Sequence, residues 1–99
     1  MARETLAAMM ARHGFTLEST GGGCTAWAVY LSDGSYIHLT ESDAPTAPET
    51  WRGKVSVSVY RDLDAELASA CFDFGSVRAA LASFLPWVEI VGKVPAPWS

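Results

Sequence analysis

His13, Cys24, His38 and Cys71 are the residues of this chain best suited by type to nucleophilic or metal chemistry. A thiolate-imidazole pair needs a ring nitrogen within hydrogen-bond reach of the sulfur. Cys24 and His38 share one face of the strands expected around them, but His38 falls opposite Ala28, four residues from Cys24. At roughly 3.3 Å per residue the pair is about 13 Å apart along the strand, too far for proton transfer. A zinc site needs three or four converging ligands, and these four residues show no paired ligand spacing. Thr20-Gly21-Gly22-Gly23 invites a phosphate-loop reading, yet a strand follows where a helix N-terminus is required. The acid pairs Asp62/Asp64 and Glu41/Asp43 fall in expected loops, without an apolar pocket to raise a carboxyl pKa. The plainer roles are cysteines as small hydrophobes, His13 beside a helix C-terminus, and the glycines as a turn. The sequence therefore predicts no catalytic centre, no metal and no cofactor.

The elements that position these residues follow from hydrophobic spacing. Leu6, Met9, Met10 and His13 recur at helical intervals among alanines, which predicts a helix over Ala2 to His13. Gly14 stands where a left-handed C-cap is wanted, and Phe15 can fold back on the last turn. Phe15 to Glu18 alternates as a short strand, and Thr20 to Gly23 makes a turn. Cys24 to Leu31 and Tyr36 to Glu41 then form a hairpin. Paired residues must share a face, so a three-residue loop, Ser32-Asp33-Gly34, is preferred. It sets Val29 opposite Ile37 and Trp27 opposite Leu39, and predicts a positive φ at Gly34.

Pro45 and Pro48 make Ser42 to Gly53 a long connection. Lys54 to Tyr60 alternates valines with Ser56, Ser58 and Tyr60. After a polar turn over Arg61 to Glu66, Leu67 to Phe74 directs Ala68, Ala70, Phe72 and Phe74 inward if Val59 pairs with Ala68. The opposite choice directs Leu67, Ser69 and Cys71 inward, and the phenylalanines are favoured for the apolar area they remove from water. Ser76 caps a second helix carrying Val77, Leu81, Phe84 and Leu85, and Pro86 is expected to end it. An extended segment over Val88 to Val91 and a loosely held tail, about 92–99, complete the chain.

This order predicts one α+β domain over 1–99: an N-terminal helix, a four- to five-stranded antiparallel sheet and a C-terminal helix, with both helices on one sheet face. The expected core is Leu6, Met10, Phe15, Trp27, Val29, Ile37, Leu39, Val55, Val57, Val59, Phe72, Phe74, Leu81, Phe84 and Leu85. The 99 residues suit one core, and the 49% hydrophobic fraction excludes a disordered tail. A net charge of −4 argues against binding nucleic acid directly or an anionic membrane. Arg3, Glu4, Arg12 and His13 interrupt any greasy N-terminal run, and two cysteines are too few for a disulfide scaffold, so the expected setting is the cytoplasm.

The outer sheet face is where a function is expected. Tyr30, Tyr36, His38 and Tyr60 line it, above the small residues Ala26, Ala28, Ser56, Ser58, Ser69 and Cys71. Tyrosines supply rigid contact area with a polar tip, as interfaces use; an ordinary wet face, or one covered by the tail, is the other reading. In a meander, Asp33, Asp62, Asp64 and Glu66 collect with Arg61 at one sheet end, an acidic edge that steers a basic partner. Solubilising charge is the alternative. Trp51, Trp87 and Trp98 fall in loop or tail positions, where one or two are expected to stay exposed as anchors.

Gly21 to Trp27 (Gly-Gly-Gly-Cys-Thr-Ala-Trp), Asp33-Gly34 and His38-Leu39-Thr40-Glu41-Ser42-Asp43 resemble small hypothetical proteins of phages and mobile elements. In type the chain is also similar to anti-CRISPR proteins: very short, acidic, single-domain and without enzyme motifs. That resemblance carries over no family residues. It implies a non-enzymatic inhibitor that occupies a functional surface of a host protein complex, a nucleic-acid-handling CRISPR-Cas effector. The competing expectation is a small homo-oligomeric structural or regulatory protein, such as an antitoxin, immunity protein or phage accessory subunit, joined as a homodimer through Val88 to Val91.

Overall fold

The computed structural model describes residues 4–49, 51, 53–63 and 66–95. The element order is α1 (Leu6–Arg12), β1 (Thr16–Gly21), β2 (Cys24–Leu31), β3 (Ser35–Glu41), β4 (Val55–Leu63), β5 (Glu66–Phe74), α2 (Val77–Val91) and β6 (Lys93–Val94). This is the α+β arrangement expected, with β1 to β5 as an antiparallel meander and β6 added beside β2.

Helix α1 starts later than its alanine-rich sequence predicts. Thr5 is extended and its hydroxyl accepts from the Ala8 amide at 3.1 Å, so it caps a helix beginning at Leu6 rather than Ala2. At the other end Gly14 has φ 86°, its amide bonds the Ala11 carbonyl, and the Phe15 amide reaches Met10. This Schellman pattern drops Phe15 into the core, where it is buried beside Leu6, Met9 and Met10.

The β2–β3 register is the expected one, Val29 opposite Ile37 and Trp27 opposite Leu39, and Gly34 has φ 89°. In the next hairpin Val59 pairs with Ala70, not Ala68. Arg61 to Leu63 and Glu66 to Ala68 continue the ladder instead of forming a long polar turn, and Leu63 pairs with Glu66. Because the slip is two residues, Phe72 and Phe74 keep their expected face.

Proline 86 does not end α2. The helix runs through it to Val91, so Val88 to Val91 is helical and no strand for edge-to-edge joining exists there. Pro86 and Ala82, the residue whose carbonyl loses its amide partner, both lie on the exposed side, where water can satisfy that oxygen. Buried Val77, Ala80 and Leu81 before the proline and Val88 after it hold both halves against the sheet. The expected loose tail is held at its start: Ser32 donates to the Gly92 carbonyl, and Lys93 and Val94 pair with Leu31 and Tyr30.

Both helices cover one sheet face, enclosing Trp27, Val29, Leu31, Ile37, Leu39, Val55 and Val57. Val59, Phe74, Phe84 and Leu85 are partly buried around this core, and Phe72 departs from expectation at 48% exposed. It lies on β5, the last strand of the sheet, where α2 reaches only part of the width. Trp51 and Trp87 also pack against the core instead of standing free, with the Arg78 guanidinium 4.5 Å above the Trp51 ring. Trp98 lies outside the described residues.

Candidate functional site

The face of the sheet away from the helices is built by strict alternation. Across one row Tyr30 pairs with Tyr36, Tyr36 with Tyr60, and Tyr60 with Ser69. The adjacent row runs Thr16, Ala28, His38, Ser58 and Cys71. The three tyrosine rings stack side by side, with centroids 5.5 Å and 5.0 Å apart and planes within 26° and 21°. The His38 ring lies 5.4 Å from Tyr36 and 5.2 Å from Tyr60. Since the stack runs across the strands, ring edges rather than ring faces point outward. Beyond Tyr60 the surface steps down onto Ser58, Ser69 and Cys71, whose small side chains form a ledge reaching the β5 edge.

Glu18 is the residue of this face that sequence reasoning missed. Its carboxylate accepts from the Tyr30 hydroxyl at 2.8 Å and from Thr16 at 3.0 Å, tying β1 to the aromatic row. Ala28, between these neighbours, is completely buried although it faces away from the helices. Only the β1–β2 register, with Glu18 opposite Ala26, reveals the contact, and the glycine turn gave no basis for that register. Burial, reinforced by the Glu18 carboxylate, pushes the Tyr30 phenol well above its ordinary value of 10.0.

His38 is half-buried, and that burial holds its imidazole below the ordinary 6.5, with the Glu18 charge opposing in part. A depressed folded-state pKa means that the unfolded chain takes up the proton first on acidification. The neutral-His38 contribution is therefore fully present above about pH 6.5 and is lost as pH falls through the folded value. His38→Gln should flatten the stability-versus-pH curve between about pH 7 and pH 5, measured by urea denaturation. An unchanged slope would remove His38 as its source.

At the sheet end where the acidic edge is expected, Asp33 does meet Arg61. Asp33 accepts from the Ser35 amide at 2.9 Å and from its hydroxyl, and pairs with Arg61 at 3.2 Å. These bonds to Ser35, together with Arg61, hold its carboxyl below the ordinary 3.8. Asp33 thus shapes the β2–β3 turn, and its charge is matched within the chain. Asp62 and Glu66 occupy ladder positions at the same sheet end; their side chains, and Asp64 entirely, lie outside the described residues.

For the chemistry considered from sequence, His38 does stand opposite Ala28, four residues from Cys24, and both cysteines are free thiols. Among the described residues no three His, Cys, Asp or Glu side chains gather as a metal-ligand set. A cavity of about 390 Å³ is lined by Glu41, Ser42, Asp43, Gly53 and Lys54. A second, of about 320 Å³, lies between Leu6, Leu17, Trp27 and Pro48. Neither is lined by a histidine or cysteine. No described helix is long and apolar enough to cross a membrane. Comparison with protein-family models, curated proteins and solved structures finds no match.

Proposed function

We propose that this chain is a non-enzymatic protein-binding module whose working surface is the Tyr30–Tyr36–Tyr60 row with His38. The observation that carries the reading is the stack itself, four rings held in contact on a sheet face whose other residues are mostly small, with the carboxylates Glu18 and Asp73 engaged by Tyr30 and Ser56. Mutual packing fixes these rings before a partner arrives, so little side-chain entropy remains to be lost on binding. Their rigid edges offer contact area with polar tips, that of Tyr30 already donating to Glu18, and the ledge beside them accepts a protruding side chain. Stacked rings leave no slot between neighbours for a nucleobase, and a charge of −4 opposes a phosphate backbone.

The partner we propose is a host CRISPR-Cas effector complex, occupied at a functional surface by a phage or mobile-element protein acting in the host cytoplasm. The phage or mobile-element origin rests on the resemblance of the Gly21–Trp27, Asp33–Gly34 and His38–Asp43 segments, and the effector on a likeness to anti-CRISPR proteins in type alone: short, acidic, single-domain and without enzyme motifs. Purified chain mixed with effector complexes should form a stable complex and protect phage in a plaque assay on CRISPR-immune cells. No complex and no phage rescue would remove the effector reading. Tyr60→Ala and Tyr30→Ala should each weaken partner binding by about 1–3 kcal/mol, read by calorimetry, with cooperative melting retained. Parallel loss of folding and binding would mean that these rings serve the fold alone.

A further inference from the structure

Strand β5 ends the sheet. It is nine residues long, and among the described residues it pairs on one side only, with β4. Exposed edges are usually blunted by lysine, proline or a bulge. From Glu66 to Phe74 there is no lysine or proline, the register against β4 is unbroken, and of the two carboxylates, Glu66 and Asp73, the second is engaged within the sheet, accepting from the Ser56 hydroxyl at 2.7 Å. The opposite edge is treated differently: β1 has six residues and an irregularity between Ser19 and Gly21. On the helix side of β5, Ala70 is exposed and Phe72 is 48% exposed, although Phe72 touches Phe84 with centroids 5.8 Å apart. The strand therefore combines an unpaired backbone with an uncovered apolar strip.

We propose that two copies of this chain join through their β5 edges, antiparallel about a two-fold axis at Cys71, into one sheet running across both. The register follows from matching faces. Any odd shift would set helix-side residues against outer-face residues and is excluded. With Cys71 opposite its own copy, Phe72 faces Ala70 of the second copy and Asp73 faces Ser69. Large thus meets small, polar meets polar, and the two-fold axis repeats each contact. With Ala70 opposite itself, Asp73 would face Leu67 and Phe74 would face Glu66, charged residues against apolar ones. With Phe72 opposite itself, two rings compete for the axis and the ladder shortens. The strand's own sequence supplies the complement in only one of the three registers, which is why the occupant is a second copy and not a foreign strand. The joint leaves both tyrosine rows open on one shared face, so it stands independently of what those rows bind.

The test uses the full chain under reducing conditions, by light scattering coupled to size exclusion across the micromolar range. A dimer that dissociates on dilution is expected. Ala70→Lys places a charge on the exposed edge and should weaken the dimer at least about tenfold while circular dichroism and melting stay unchanged. Diamide then reads the register. In antiparallel pairs facing Cα atoms lie about 4.5–5.5 Å apart, within disulfide range. The two Cys71 thiols give two protons and two electrons to diamide as the sulfur-sulfur bond forms. The cross-linked dimer should form in Cys24→Ser and be absent in Cys71→Ser. A monomer at every concentration, a dimer indifferent to Ala70→Lys, or a cross-link through Cys24 would each overturn the proposal.

Discussion

Val57→Asp should abolish cooperative folding at neutral pH. Val57 is 1% exposed and lies between Leu39 and Phe72 in the ladder, on the face the helices cover. A carboxylate there loses its water and gains no cation, a penalty of at least about 4 kcal/mol. For a domain of this size that is most of a total stability of roughly 5–15 kcal/mol. The control is one residue along. Ser58 is half-buried on the opposite face beside His38, and Ser58→Asp should cost less than about 1 kcal/mol. Thermal melting followed by circular dichroism separates the two. A cooperative Val57→Asp melt would mean that the covered and open faces are exchanged.

Trp27→Ala should cost about 3–5 kcal/mol in chemical denaturation, through lost burial and the space left behind. This side chain does more than fill the core: its indole N–H donates to the Pro48 carbonyl at 3.1 Å. The same connection is tied down by Thr25, whose amide reaches the Pro45 carbonyl and whose hydroxyl accepts from Ala47. Removing the ring therefore loosens residues 42–49 as well as the sheet, and hydrogen exchange at the Ala47 amide should rise with it. Trp27→Phe keeps most of the apolar surface and loses the donor, for about 1–2 kcal/mol. If phenylalanine proved as damaging as alanine, the polar anchor rather than packing would dominate.

The parts of this fold legible in the sequence are those governed by short-range periodicity and by backbone chemistry. Alternation through Val55, Val57 and Val59 shows which face is inward, and Gly14 and Gly34 mark their turns because only glycine adopts positive φ without strain. Where tertiary packing decides, the local signal misleads. Pro86 reads as a helix end, yet buried residues on both sides carry the helix through it. Phe72 reads as core, but a residue's depth depends on how far the covering layer extends, which no spacing encodes. On the candidate surface the tyrosine row is legible from alternation within three strands. Glu18 is not, because its contact with Tyr30 depends on a register set beyond a flexible glycine turn. Asp33 shows the same limit: its charge is evident, while its use by Ser35 and Arg61 is a property of the folded hairpin.

The pairing of β6 with β2 bears on the order of folding. Every neighbour in the meander from β1 to β5 is also adjacent in sequence, so those strands can zip together through short loop closures. Lys93 and Val94, by contrast, find Leu31 and Tyr30 across about two-thirds of the chain. That contact carries the largest closure entropy in the sheet and is expected to form late, after α2 has docked. The first turn of the domain then waits on its last strand: the Lys93 side chain passes so near Gly14 that a Cβ there would lie 2.9 Å from its Cδ. Glycine at position 14 therefore serves two moments of folding, an early one in which it stops a helix and a late one in which it leaves room for the chain to close.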